Sequence, residues 1–77
     1  MDYKFQPPLL TVSVGTTVKW VNKDVAPHTA TRNASDEAFD SGRMGPGAVF
    51  EHTFHAPGTY GYLCWLHQGM QGRVVVQ

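Results

Sequence analysis

The chain has 77 residues, and its six basic and six acidic side chains give a formal net charge of zero. No run of like charges points to nucleic acid, and no apolar stretch is long enough to predict a membrane span. The single cysteine cannot form an internal disulfide, so a core this small would gain stability from a metal or a partner. We expect one domain over residues 1–77.

Apolar and polar residues alternate along much of the chain, and turn residues recur between the alternating segments. This pattern predicts an all-β sandwich or barrel. Residues 1–6 are predicted to form a short strand that two prolines terminate. Residues 9–14 and 17–22 flank a Gly-Thr pair, which predicts a β-hairpin.

The second half of the chain contains further predicted strands. Residues 29–32 are predicted to form a short strand, and residues 33–47 are predicted to be a long surface connection because their pattern is irregular. Residues 49–55 alternate again, with Phe50, His52 and Phe54 on one face. The segment 60–64 is predicted to run as a strand into Cys64, and 71–77 is predicted to be the final strand.

The segment 64–70 carries a thiolate, an imidazole and a thioether at Cys64, His67 and Met70. Blue-copper sites combine two His and one Cys in a plane with a weak axial Met, so this donor set suits copper. The expected second histidine is His28, because the φ angle of Pro27 is fixed and presents it at a defined angle. Gly69 can adopt the positive φ that so tight a loop needs.

These four side chains predict one copper ion per chain and no catalytic residue. Since they leave no open coordination position for a substrate, we expect single-electron transfer rather than catalysis. Two alternatives remain: a copper storage or delivery protein, and a type 1 domain excised from a larger multicopper enzyme. Structural zinc would fit the thiolate and the imidazoles, but the thioether argues against it.

The remaining histidines and the residues between the ligands carry weaker signals. His55 is expected to be exposed beside a turn, and His52 to be half-buried and hydrogen-bonded; their spacing does not predict a second metal site. Trp65 and Leu66 cannot both point inward. At least one of them is therefore expected to form apolar surface near His67.

These motifs resemble those of the cupredoxins, the small blue-copper proteins, and within them the amicyanin group first and then plastocyanin and pseudoazurin. The short spacing from Cys64 through His67 to Met70 is similar to that of the amicyanin group. The other similar segments are residues 17–22, 26–28, 56–62 and 70–76.

The resemblance implies a Greek-key β-sandwich in which His28, Cys64 and His67 are equatorial ligands and Met70 is the axial ligand. It also implies that the His67 edge is the electron port, within an apolar patch that Pro27, Leu66 and Met44 line. The implied partners are redox proteins such as a c-type cytochrome, a copper reductase or an amine dehydrogenase. The implied location is the periplasm or another extracytoplasmic compartment; the chain shows no signal peptide.

The chain departs from the family pattern in three ways. Thr29 follows the first histidine, where relatives often have an Asn that joins the two ligand loops. Trp65 is bulky for the position after the cysteine. The amicyanin-like pattern also has a strand ahead of residues 1–5, without which one sheet would present an unpaired edge. We therefore expect a minimal cupredoxin, a fragment of a longer protein, or an edge that another chain covers, and a monomer or weak oligomer.

Overall fold

The structure, a computed structural model, describes Phe5, residues 7–67 and residues 69–77. Seven strands and no helix occur in these ranges, so no helix there could cross a membrane. The strands are β1 (Leu9–Val12), β2 (Thr17–Val21), β3 (Thr31–Arg32), β4 (Phe39–Asp40), β5 (Val49–Thr53), β6 (Gly58–Leu63) and β7 (Gln71–Val76).

The strands form two sheets that pack face to face, which confirms the predicted β-sandwich. The first sheet has the order β1-β7-β6-β3-β4, with β1 parallel to β7 and the other pairs antiparallel. Within the described residues, the second sheet contains only β2 and β5, which pair antiparallel. The alternating residues of β2 show the reason for this packing, since Val18 and Trp20 are buried while Lys19 is exposed.

The predicted hairpin between β1 and β2 is wrong, because the two strands lie in different sheets. The N–H of Val14 still donates to the carbonyl of Gln77, just beyond the end of β7, at 3.0 Å. The N–H of Gly15 instead donates to Phe54, beyond the end of β5, at 2.8 Å. Gly15 has φ of +89°, so the turn that the sequence indicates is real, but it carries the chain from one sheet to the other.

The surface connection predicted over residues 33–47 is also partly wrong. It contains β4, where the Phe39 ring is buried at the centre of the sandwich, 5.1 Å from Trp20 and 6.1 Å from Tyr62 between ring centroids. It also contains Met44, which is buried and forms an isolated bridge with His28. The segment 33–47 therefore contributes both to the core and to the wall of the site.

The strand predicted over residues 1–6 lies outside the described residues except for Phe5. Phe5 is buried and not in a strand, and its ring meets the Tyr62 ring edge-on at 4.7 Å. The other predicted strands are confirmed with small shifts of their ends. In β5 the predicted inward face is confirmed, since His52 is partly buried and Phe54, just beyond the strand, is fully buried.

Gly72 should be sensitive to any added side chain, because it faces the ring of Tyr62 across the β6–β7 ladder. A methyl group at Gly72 would overlap the end of that ring, whereas one at the paired strand's Gly61 would have no neighbour closer than 3.9 Å. We expect Gly72→Ala to lower the unfolding free energy by about 1–3 kcal/mol. Denaturant unfolding would measure this. Gly61→Ala is the control, and equal stability of the two variants would contradict the packing argument.

Candidate metal centre

Three side chains that can bind a metal meet at one end of the sandwich. The ligand atoms of His28, Cys64 and His67 all lie within 4.8 Å of one another. Cys64 Sγ is 3.7 Å from Nδ1 of His28 and 3.8 Å from Nδ1 of His67. His28 and Cys64 are buried and His67 is partly exposed. The structure thus brings together three of the four ligands that the sequence predicts, each with a nitrogen or sulfur lone pair.

The loop after β6 places Cys64, His67 and Met70 through its own backbone bonds. The N–H of Cys64 donates to the Met70 carbonyl at 3.0 Å, and the N–H of Met70 donates to the His67 carbonyl at 3.3 Å. Gly69 has φ of +83°, as the tight reversal requires. Met70 is buried, and its backbone bonds to Cys64 and His67 close the loop.

His28 is fixed by the strand-like contact between its loop and Met44. The two residues exchange backbone hydrogen bonds of 3.0 and 2.8 Å. Asn22 reinforces this contact, because its buried side-chain amide donates to the carbonyls of Ala26 and Met44, both at 2.9 Å. The histidine is therefore held from both sides before any metal binds.

Asp24 is a site residue that the sequence reasoning missed. Its carboxylate accepts a 3.0 Å hydrogen bond from Nε2 of His28, which leaves the lone pair on Nδ1 and turns it toward Cys64. Burial lowers the pKa of His28, but the bonds from Asp24 and the Cys64 sulfur raise it on balance above 6.5. The signal in the sequence was an Asp in the loop ahead of His28, since Asp side chains often hydrogen-bond nearby backbone, as Oδ1 of Asp24 does by accepting from the N–H groups of Val25 and Ala26.

The thiol of Cys64 is unusually acidic. Burial raises the pKa of this thiol, but the backbone N–H of Thr29, the two imidazoles and the backbone N–H of Leu66 together outweigh burial. They lower the pKa from 9.0 to about 6. The thiolate, which is the form that binds metals, therefore predominates at neutral pH.

Thr29 joins the two ligand loops. Its N–H donates to Cys64 Sγ at 3.3 Å, and its hydroxyl oxygen accepts from the N–H of Trp65 at 2.9 Å. The hydroxyl of Thr31 also lies 3.0 Å from that of Thr29. Thr29 therefore connects the loop of the first histidine to the loop of the cysteine.

Loss of the Thr29 hydroxyl should loosen this connection. We expect Thr29→Val, which keeps the shape but removes the acceptor of the Trp65 N–H, to lower the unfolding free energy by about 1–3 kcal/mol. Thr29→Ser retains the hydroxyl and is the matched control. Denaturant unfolding of the metal-free proteins would compare them. If Thr29→Val were as stable as Thr29→Ser, the hydroxyl would have no part in joining the loops.

The surface around the site is apolar, as expected, but one of the three residues expected to line it is buried. Trp65 and Leu66 are both exposed beside His67, and Pro27 is partly buried. Met44 was expected to line this patch, yet it is only 6% exposed, because its backbone pairs with His28 beneath the surface.

The other two histidines are bound to one carboxylate. Glu37 accepts from Nε2 of His52 at 2.8 Å and from the backbone N–H of His55 at 2.6 Å. His52 is partly buried and His55 is exposed, which confirms both expectations. Among the described residues, the group at His28, Cys64 and His67 is the one set of three such ligands close enough to hold a metal.

The donor set fits copper. One thiolate and two imidazole nitrogens are the equatorial ligands of a blue-copper site, and the loop that carries two of them also carries the buried Met70. The preformed sulfur contacts suit a metal that binds both soft and borderline donors.

Comparisons with known proteins agree with this donor chemistry. The family of copper binding proteins described as the plastocyanin/azurin family matches residues 1–77. Amicyanin of Paracoccus versutus is 34% identical over 77 residues, which cover 96% of this chain and 58% of that protein. Plastocyanin of Scenedesmus fuscus is 34% identical over 84 residues, which cover 95% of this chain and 86% of the relative.

Solved structures show the same fold. A reduced amicyanin variant superposes with a TM-score of 0.92 at 34% identity, covering 100% of this chain and 76% of that one. A purple cupredoxin from Nitrosopumilus maritimus superposes with a TM-score of 0.87 at 35% identity, covering 96% of this chain and 82% of that one. The chain spans less than two thirds of the length of the amicyanin of Paracoccus versutus. On the family match over its full length, the chain belongs to the plastocyanin/azurin family of copper-binding proteins.

Proposed function

We propose that the chain is a single-electron carrier that binds one copper ion through His28, Cys64 and His67, with Met70 as the axial ligand. The observation that carries the proposal is the cluster of three ligand atoms within 4.8 Å, held in place by bonds from Thr29, Asp24 and Met44. When bound, copper would supply a one-electron couple. The whole of residues 1–77 would act as one copper-binding domain.

The fixed positions of the ligands favour electron transfer. Hydrogen bonds to Cys64 Sγ and to His28 Nε2 keep sulfur and imidazole in place in the absence of metal. Copper(I) prefers few soft ligands, whereas copper(II) prefers nitrogen and oxygen ligands in a tetragonal arrangement. A rigid geometry between these two preferences would limit how far the ligands move when copper changes its oxidation state. Hydrogen bonds around the sulfur and the axial ligand then tune the potential.

The same features support this proposal over the two alternatives. A buried thiolate held by a backbone N–H and enclosed by two ligand loops favours retention of the metal over its delivery. The site has no additional histidine group for a catalytic copper among the described residues. We infer an electron carrier rather than an enzyme, working with protein redox partners near His67. Partners such as a c-type cytochrome and an extracytoplasmic location are parts of this proposal.

Visible absorption of the copper-loaded protein tests the proposal. Copper(II) bound to the Cys64 thiolate is expected to give an intense band that reversible reduction bleaches, and Cys64→Ser should lack the band. His55→Ala, which changes an exposed histidine away from the cluster, is the matched control and should keep the colour. A colourless copper complex would refute the proposal. Metal analysis after growth in copper-replete medium would separate copper from structural zinc.

Met70→Leu should retain copper and raise the reduction potential. The substitution removes a sulfur donor that stabilises copper(II) while keeping an apolar side chain in a buried position. We expect a rise of tens of millivolts, where about 59 mV corresponds to a tenfold change in the relative affinity for the two oxidation states. Protein-film voltammetry would measure it. A potential that falls or stays constant would mean that Met70 is not the axial ligand.

A further inference from the structure

A groove opens on the exposed face of the first sheet, next to the metal centre. It has a volume of about 290 Å³, and Arg32, Gly61, Leu63, Trp65 and Arg73 are among its lining residues. Leu63 and Trp65 flank Cys64 along the chain, so both neighbours of the thiolate residue reach the surface here. Trp65 is 63% exposed, which is unusual for so large an apolar side chain.

The charged side chains that line the groove are all basic. Two arginines line it, and none of the described residues that line it is acidic. Arg32 is partly neutralised by Asp36 at 2.6 Å and is held by the Gly61 carbonyl at 3.0 Å. Arg73 is exposed and forms no ion pair with the described residues. The groove therefore presents a cation beside an exposed indole, and Trp and Arg are the residues most enriched at binding hot spots.

The same indole is connected to the sulfur of the site by a short route. Trp65 follows Cys64 directly in the chain, and its N–H donates to the Thr29 hydroxyl at 2.9 Å. The N–H of Thr29 in turn donates to Cys64 Sγ at 3.3 Å. The backbone of Trp65 is thereby fixed relative to the thiolate. A partner seated on the indole would be linked to the ligand by one peptide unit and by this pair of hydrogen bonds.

We propose that this groove is a docking surface for an acidic one-electron redox protein, with Trp65 as its apolar centre and Arg73 as its charged contact. The proposal rests on the electron-carrier function proposed above. In the step, the reduced partner would give one electron to the copper(II) that His28, Cys64 and His67 would hold, which would become copper(I), with no bond or proton exchanged.

An acidic plant-type [2Fe–2S] ferredoxin is a suitable probe. The ¹⁵N-labelled copper(I) protein, titrated with the oxidised ferredoxin, is expected to show shifts of the Gly61, Leu63 and Arg73 amides and of the Trp65 indole. Arg73→Glu should weaken binding by roughly fivefold or more, and added salt should weaken wild-type binding. Lys19→Glu makes the same charge change on the second sheet and should weaken binding less than about twofold.

Binding in this titration does not require electron transfer, so its outcome is separate from that of the copper test. Visible absorption and thermal unfolding of each variant would verify the site and the fold, and Arg73→Gln would replace Arg73→Glu if the latter did not fold. Trp65→Ala should also weaken binding. Shifts confined to residues around His67, an absence of shifts in the groove, or equal effects of Arg73→Glu and Lys19→Glu would overturn the proposal.

Discussion

Removal of copper is expected to lower the midpoint of thermal unfolding by roughly 15–30 °C. A ligand that binds only the folded state adds about 4.1 kcal/mol when its concentration is a thousand times its dissociation constant. In a domain of this size, each kcal/mol moves the midpoint by roughly 4–8 °C. The effect is large because the core is small and the four proposed ligands come from two loops that are far apart in sequence.

The residues around the site give this expectation its structural reason. Metal would bridge the loop that carries His28 to the loop that carries Cys64, which in the metal-free protein are joined at the site by Thr29 and by weak contacts to Sγ. Differential scanning calorimetry of the copper-loaded and metal-free proteins would measure the shift. Cys64→Ser, treated with the same copper, is the control and should gain little. A shift below about 4 °C in the wild type would contradict the proposed ligand set.

The placement of three candidate ligands in one loop could be predicted from the sequence because that signal is local. Cys64, His67 and Met70 lie within one loop, and the backbone bonds that position them also lie within that loop. The alternation of β5 likewise predicted which of its residues face the core, because a strand's side chains alternate whatever it pairs with. These features depend on few contacts outside their own segment.

Pairing between distant segments could not be predicted in the same way. The turn at Gly15 is visible in the sequence, but only the acceptors at Gln77 and Phe54 decide that β1 and β2 lie in different sheets. Phe39 lies in an irregular segment, and its burial follows from the aromatic rings around it. Such roles depend on long-range contacts that no local period encodes.

The thiol of Cys64 should titrate near pH 6 in the metal-free protein. Its pKa is lowered from 9.0 to about 6, which is roughly a thousandfold increase in acidity. The opposing contribution is burial, and the N–H groups and imidazoles around Sγ overcome it. The ultraviolet absorbance that a thiolate has and a thiol lacks, at wavelengths shorter than the aromatic bands, would follow the titration. Cys64→Ser gives the baseline, and a midpoint above pH 8 would show that the network does not act on the sulfur.

This acidity has a defined consequence for stability and for metal binding. Because the pKa of Cys64 in the folded protein lies below its unfolded value of 9.0, the stabilisation is complete above pH 9 and is lost as the pH falls through about 6. The metal-free wild type should therefore gain unfolding free energy relative to Cys64→Ser between pH 6 and pH 9. Protons on His28, whose pKa is raised above 6.5, already compete with copper above that pH, and below about pH 6 protons on Cys64 compete as well. At neutral pH the protonation of Cys64 should therefore have little effect on copper affinity, and in acid the affinity should fall steeply. If the thiol pKa were unshifted, copper affinity would instead rise continuously up to pH 9.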